Sequence, residues 1–192
     1  MKVNYYGIWR GEKLPDSEAD QRFQWLISHL SSPNGPEGRQ ICPWAIQALR
    51  DGKFFIGDAR RAPTDVAGIS FVVEDLVLEY QSISKFEPLN RLPETLTVLI
   101  PDAVEGKTIE SILEMHRPKL TPVGLMLGAL DPFNKLRSLI GGRDCPYSSP
   151  WSFLTIRWMV AGDCVFLNLN PAYKEIYIKF FGKWPAGCLS KQ

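Results

Sequence analysis

A chain of 192 residues, 45% hydrophobic and 22% charged, is long enough to bury one sizeable core and ordinary in composition for a globular domain. A net charge of +1 excludes binding driven by phosphate neutralisation, which needs a clustered basic surplus. No run approaches the roughly 18 apolar residues of a membrane span, and MKVNYYGIWRGEK lacks the apolar stretch of a secretory leader, so a cytoplasmic protein is expected.

In chain order, DSEADQRFQWLISHL predicts a helix capped by Asp16 or Ser17, with Phe23, Leu26, Ile27 and Leu30 as its apolar stripe and His29 beside it. The loop SSPNGPEG (31–38) sets off an N-terminal arm, residues 1–40, from a body over 41–192 within a single domain. KFFIGDA (53–59) reads as a strand. A helix follows behind the Thr64/Asp65 cap, with Ile69, Val72, Val73, Leu76, Tyr80 and Ile83 at helical spacing. TLTVLIPD (95–102) is a strand, Thr108 to Lys119 a helix, and PVGLMLGAL (122–130) a third strand. FLTIRWMV (153–160) forms a fourth, with CVFL (164–167) as its extension. NPAYKEIYIKFFGKW closes the chain as a helix with Asn170 as cap, Pro171 at its first position and Gly182 at its end. Two strands in succession break the alternation of a doubly wound sheet. The expected fold class is therefore α+β, a mostly antiparallel sheet with helices packed on one face and a helical N-terminal arm.

Cys42, Cys145, Cys164 and Cys188 are widely spaced, with no CxxC pair and no histidine at ligand spacing, so no metal site is predicted and reduced thiols are expected. Strand alternation sorts the remaining candidates. Leu154, Ile156, Trp158 and Val160 form a purely apolar set that belongs against helices. Phe153, Thr155, Arg157 and Met159 form a mixed set. On the third strand Gly124, Met126, Gly128 and Leu130 share a face, and its two glycines leave room above the sheet. If the glycine face and the Arg157 face coincide, they describe a glycine-floored pocket with one cation. A guanidinium on a buried strand needs an acceptor. The candidates are a substrate anion or a carboxylate such as Asp131, Asp144 or Asp163.

No dinucleotide, P-loop, zinc-protease, serine-hydrolase or kinase motif is present. Gly141-Gly142-Arg143 reads as a loop before it reads as a phosphate cradle. A Cys–His pair of Cys42 or Cys145 with His116 requires the fold to bring them together.

ICPWAIQAL (41–49), EMHRPKLTPVGLMLGALDPFN (114–134) and SPWSFLTIRWMVAGDCVFL (149–167) resemble an uncharacterised family of small bacterial and fungal proteins, many of them near natural-product biosynthesis genes. The family pattern runs CPF, then a histidine followed by GLMxGxFHP, then SPxPxLxIRxMVxxDxxFL, and the resemblance extends from residue 40 to 181. It implies a shared fold and a small-molecule role. A weaker resemblance links the chain to haem-dependent N-oxygenating enzymes, where the His-Pro of that pattern is the natural iron ligand. Here the position is Asp131-Pro132. Aspartate is a poor haem ligand, so haem would need Cys42 or His116 instead.

These readings converge on a cytoplasmic enzyme of specialised small-molecule metabolism, acting on a small anionic, amino-acid-derived substrate. Arg157 would bind the anion above Gly124 and Gly128, with Trp158 and Trp151 as walls. Asp131 would orient an amine or move a proton, and His116 is a second general base. The cofactor is left unassigned. The alternatives are a haem-binding oxygenase-like protein and a non-catalytic accessory or ligand-binding subunit, with a homodimer open in either case.

Overall fold

The computed structural model describes residues 3–7, 14, 16–32, 42–84, 94–133, 148–167, 170–186 and 188. Strand β1 (Asn4–Gly7) is followed by helices α1 (Ser17–Ser31) and α2 (Pro43–Arg50), strand β2 (Phe54–Asp58), helix α3 (Val66–Ile83) and strand β3 (Thr95–Leu99). Helix α4 (Gly106–Leu120) leads to strands β4 (Leu125–Leu130) and β5 (Phe153–Trp158), and the short α5 (Cys164–Leu167) precedes α6 (Pro171–Phe181).

The caps are those the sequence announces. The Asp16 carboxylate accepts the backbone N–H groups of Glu18 and Ala19, both at 2.9 Å. Asp65 accepts from Gly68 at 2.7 Å, and Asn170 from Ala172 at 3.0 Å. Each satisfies donors that the first helical turn cannot pair. Gly182 ends α6 in the left-handed region, at φ 77°.

The sheet is open, with strand order β1-β2-β3-β5-β4. Helix α3 is the crossover that lets β2 and β3 run parallel, while β1–β2, β3–β5 and β5–β4 are antiparallel. Registers run across the centre as Thr97 opposite Thr155 and Gly128 opposite Thr155, then Thr95 and Met126 opposite Arg157.

This architecture corrects the expectation of a sheet-led α+β fold with helices on one face and a separate arm. Helix predominates among the described residues, and both faces of the sheet carry helices. Helices α3 and α4 pack on one face, where Ile69, Val72, Leu76, Ile109 and Ile112 meet Leu96, Val98, Leu125, Leu127, Leu154 and Ile156. Helix α1 lies on the other face with α2. Its Phe23, Leu26 and Leu30 pack against Phe54, Ile56, Leu99 and Phe153. The physical reason is that this second face is apolar at one end and polar at the other. The apolar end needs a cover, and the amphipathic α1 supplies it. The N-terminal residues are thus integral: β1 adds a strand and α1 half a core. CVFL (164–167) also turns out as a helical turn, α5, and not a strand extension.

A third cluster joins Met159, Cys164, Leu167, Tyr177 and Cys188 beside Met126. Cys164 and Cys188 are disulfide-bonded with Cα atoms 6.0 Å apart, correcting the expectation of reduced thiols throughout. Among the described residues no helix is long and apolar enough to cross a membrane.

Candidate functional site

Registers place Gly128 and Met126 of the edge strand β4 on one face with Thr155 and Arg157 of β5, together with Thr95 and Thr97 of β3. The Gly128 face and the Arg157 face therefore coincide. Thr95 and Thr97 are buried, whereas Met126, Gly128, Thr155 and Arg157 remain partly open to solvent. This polar patch lies between the α1 core and the α6 cluster. The Thr97 and Thr155 hydroxyls are 2.9 Å apart and satisfy each other. A Cβ built on Gly128 would meet nothing within 4 Å, so there is space above that glycine.

Gly124 plays a different part. Its φ of 86° closes the turn before β4, and a Cβ there would come within 2.9 Å of the Phe180 ring. It is a turn and a packing contact for α6, not a pocket floor.

Arg157 meets Asp163. Its Nη1 donates to Asp163 Oδ2 at 2.7 Å and its Nη2 to Oδ1 at 2.5 Å, a bidentate pair. Nη1 also donates to the Trp158 carbonyl at 3.0 Å. Asp163 is held from its own side by the Val160 N–H at 2.8 Å, and its side chain is only 1% exposed. Burial draws the Arg157 guanidinium's pKa down, and the Asp163 carboxylate more than reverses this, leaving it above the ordinary arginine value. Of five guanidinium N–H donors, Asp163 and Trp158 occupy those of Nη1 and one of Nη2. The edge formed by Nε and the second Nη2 hydrogen donates to no partner among the described residues, and the side chain is 16% exposed. Cys42, half-buried at the N-terminus of α2, lies within electrostatic reach of the same guanidinium.

The other predicted residues lie elsewhere. Asp131 follows the far end of β4, five positions beyond the residue opposite Arg157, or roughly 16 Å by strand rise. Its carboxylate accepts the Phe133 N–H at 2.8 Å, and it does not pair with Arg157. His116 is buried on α4 behind the opposite face, with its Nε2 2.8 Å from Ser70 Oγ. Burial first, then the charge of Lys119, pull this imidazole below the ordinary 6.5, against Glu74. Cys42 and His116 are on opposite sides of the sheet and form no Cys–His pair. Trp158 points into the α3 side, its Nε1 donating to Ser84 Oγ at 2.5 Å and its ring against Tyr80. Trp151 packs edge-on against Trp25 under the Arg22 guanidinium. Gly141-Gly142-Arg143, Asp144 and Cys145 lie outside the described residues.

The three residues named for haem lie apart from one another. His116 is engaged by Ser70 between two helices, Cys42 is across the sheet from it, and Asp131 is at neither place. Among the described residues no cluster of three or more His, Cys, Asp or Glu is arranged to hold a metal ion.

A second charged group closes the C-terminal ends of β2 and β3. Arg22 pairs with Asp102 and Glu18, and Arg60 with Asp58, Asp16 and Glu18. The Asp58 hydrogen bond is the largest influence raising the Arg60 pKa, against burial. Both arginines are satisfied within the protein, so this network ties α1 to the sheet.

Sequence reasoning singled out Gly128 and Arg157 and did not single out Thr97 and Thr155. Their signal was present as hydroxyls at alternate positions, TLT on β3 and T155 beside R157 on β5, but which strands are neighbours is invisible along one chain.

The chain belongs to the family described as "Domain of unknown function (DUF6875)", whose model matches residues 19–190. No protein of curated function and no solved structure matches it.

Proposed function

We propose that this protein is a cytoplasmic enzyme of specialised small-molecule metabolism that holds a small carboxylate-bearing substrate on the sheet face above Gly128. The observation that carries the reading is the conjunction of open space over Gly128 with a guanidinium edge on Arg157 of the same face that has no partner among the described residues. A planar N–H fork on that edge suits a carboxylate. The Asp163 pair holds the guanidinium in place, so binding costs little side-chain ordering. The Thr97–Thr155 hydroxyls add donors and acceptors beside it. Cys42, at the N-terminus of α2 and within electrostatic reach of Arg157, is in an electropositive setting of the kind in which nucleophilic cysteines occur. The natural-product association of the resembling family supports the metabolic context.

Titration with succinate and phenylacetate, followed on the Gly128 amide and Arg157 Nε–H resonances, tests the site. Both resonances are expected to shift together, and Gly128→Phe, which fills the space, is expected to abolish the response. Absence of any shift in the wild-type protein at the highest soluble concentration overturns the reading. Cys42→Ser separates catalysis from binding: carboxylate binding survives and turnover is lost in an enzyme, whereas a binding subunit is indifferent to the change.

A further inference from the structure

The residue that fixes Arg157 is bonded directly to a disulfide cysteine. Asp163 closes a helical turn over Ala161–Asp163, and the next residue, Cys164, is joined to Cys188 across a sequence separation of 24. The same turn is held from α6 by the Tyr177 hydroxyl, which donates to the Ala161 carbonyl at 2.7 Å. So the segment carrying Asp163 is tied to the C-terminal part of the chain by a covalent bond and a hydrogen bond, besides the side-chain packing of its cluster. Neither tie touches the α3–α4 core, because Cys164, Cys188 and Tyr177 belong to the separate cluster beside Met126.

We propose that the Cys164–Cys188 disulfide is a redox control on the carboxylate site: intact, it holds Asp163 and through it Arg157 in the binding position, and its reduction by a dithiol loosens both. The inference rests on the site reading above and concerns its regulation. In a reducing compartment a protein disulfide is ordinarily transient or redox-sensing, and this one is positioned to transmit its state. Cys188 lies beyond α6, outside any helix or strand, and is buried in the cluster with Met159, Leu167 and Tyr177, so a dithiol reaches its sulfur on local opening of that cluster. Reduction is a two-electron exchange. A thiolate of the dithiol attacks Cys188 Sγ, Cys164 leaves as a thiolate and takes up a proton, and the second thiol resolves the mixed disulfide. Two cysteine thiols form, and the dithiol closes to its own disulfide.

Once that tie is cut, the turn is anchored to α6 by the Tyr177 hydrogen bond and side-chain packing. Asp163 then samples positions in which its bidentate geometry with Arg157 is broken. The guanidinium loses the partner that oriented its free edge.

The experiment reads Arg157 directly. Hydrogen exchange at the Arg157 Nη hydrogens that donate to Asp163, assigned with Arg157→Lys, is measured in the oxidised protein, in protein reduced with dithiothreitol, and in Cys188→Ser. Exchange about tenfold faster is expected in the last two, with α3 and α4 amides unchanged. Asp163→Asn, which weakens the pair while keeping the disulfide, is expected to give the same acceleration in oxidised protein. Equal exchange in oxidised and reduced protein overturns the proposal. So does loss of α3 and α4 amide dispersion on reduction, because the bond would then support the whole fold. Succinate titration of the oxidised form is a separate arm. A redox-dependent Arg157 signal with no succinate response sinks the site reading and leaves the coupling intact. A succinate response of equal affinity in both redox states sinks the control and leaves the site.

Discussion

The two faces of the sheet are built from alternate residues of the same strands. Leu154 and Ile156 of β5 point into α3 and α4 with Leu96, Val98, Leu125 and Leu127, all fully or nearly fully buried. Phe153, Thr155 and Arg157, one residue out of phase, point the other way. There, Phe153 is under α1, Thr155 is half-buried beside Gly128, and Arg157 is held by Asp163. The first face is uniform, so any helix with a complementary stripe serves it. The second changes character along a single strand, and each stretch needs its own cover. Local chemistry thus decides where a helix docks and where the sheet stays reachable by a ligand.

That contrast can be broken most forcefully at Asp163. Asp163→Ala strands the Arg157 cation in a largely buried position and is expected to cost about 4 kcal/mol in urea denaturation, near the range for a broken buried pair. Leu154→Ala, on the dry face, opens a cavity and is expected to cost about 3 kcal/mol. Thr155→Ala, next along the strand, is expected to cost about 1 kcal/mol, the value of one hydrogen bond with Thr97. If Thr155→Ala proves as damaging as Leu154→Ala, the two faces are energetically alike and the distinction fails.

The two glycines sharpen the comparison further. Gly124→Ala meets both a left-handed backbone and the Phe180 ring, and a loss of about 1–2 kcal/mol is expected. Gly128→Ala enters open space at an extended strand position and is expected to be neutral or to stabilise by about 0.5 kcal/mol. Thermal melts of the two single variants decide this, with a lowered melting temperature expected for Gly124→Ala and an unchanged or raised one for Gly128→Ala.

The smallest effect is a pH slope from the far side of the sheet. The folded His116 imidazole titrates below the ordinary 6.5, so between its folded value and 6.5 the unfolded chain binds more protons. The His116 contribution to stability is complete above 6.5 and is lost as pH falls through the folded value. His116→Gln is expected to flatten this acid-side slope without altering succinate binding, since His116 is across the sheet from Arg157. A changed affinity would place the histidine in the site after all.

Much of this was legible along the chain. Asp16, Asp65 and Asn170 announce their helices because a cap is a local interaction between a side chain and the next two or three N–H groups. Alternation on β5 and β4 put Arg157 and Gly128 on mixed faces, since side-chain direction has period two whatever the partner strand. Helix α2 gave no comparable signal: its N-cap is Cys42, which makes no capping hydrogen bond, and it spans only 8 residues. Gly124 and Gly128 looked equivalent because four residues apart on one pattern they share a phase. In fact the strand begins at Leu125, and Gly124 belongs to the turn before it.

By itself, then, the sequence determined the helices with good caps, the strands with clear alternation and the mixed character of the Arg157 face. All of these depend on contacts within a few residues. Only the tertiary structure decided that helices cover both faces, that β5 lies between β3 and β4, and that Thr97 meets Thr155. It also chose Asp163 over Asp131 as the partner of Arg157, because a bidentate pair needs both groups at one end of the sheet. Strand order and the seating of α1 are settled by burying apolar surface between segments distant along the chain. No local pattern of residues encodes which of those segments will meet.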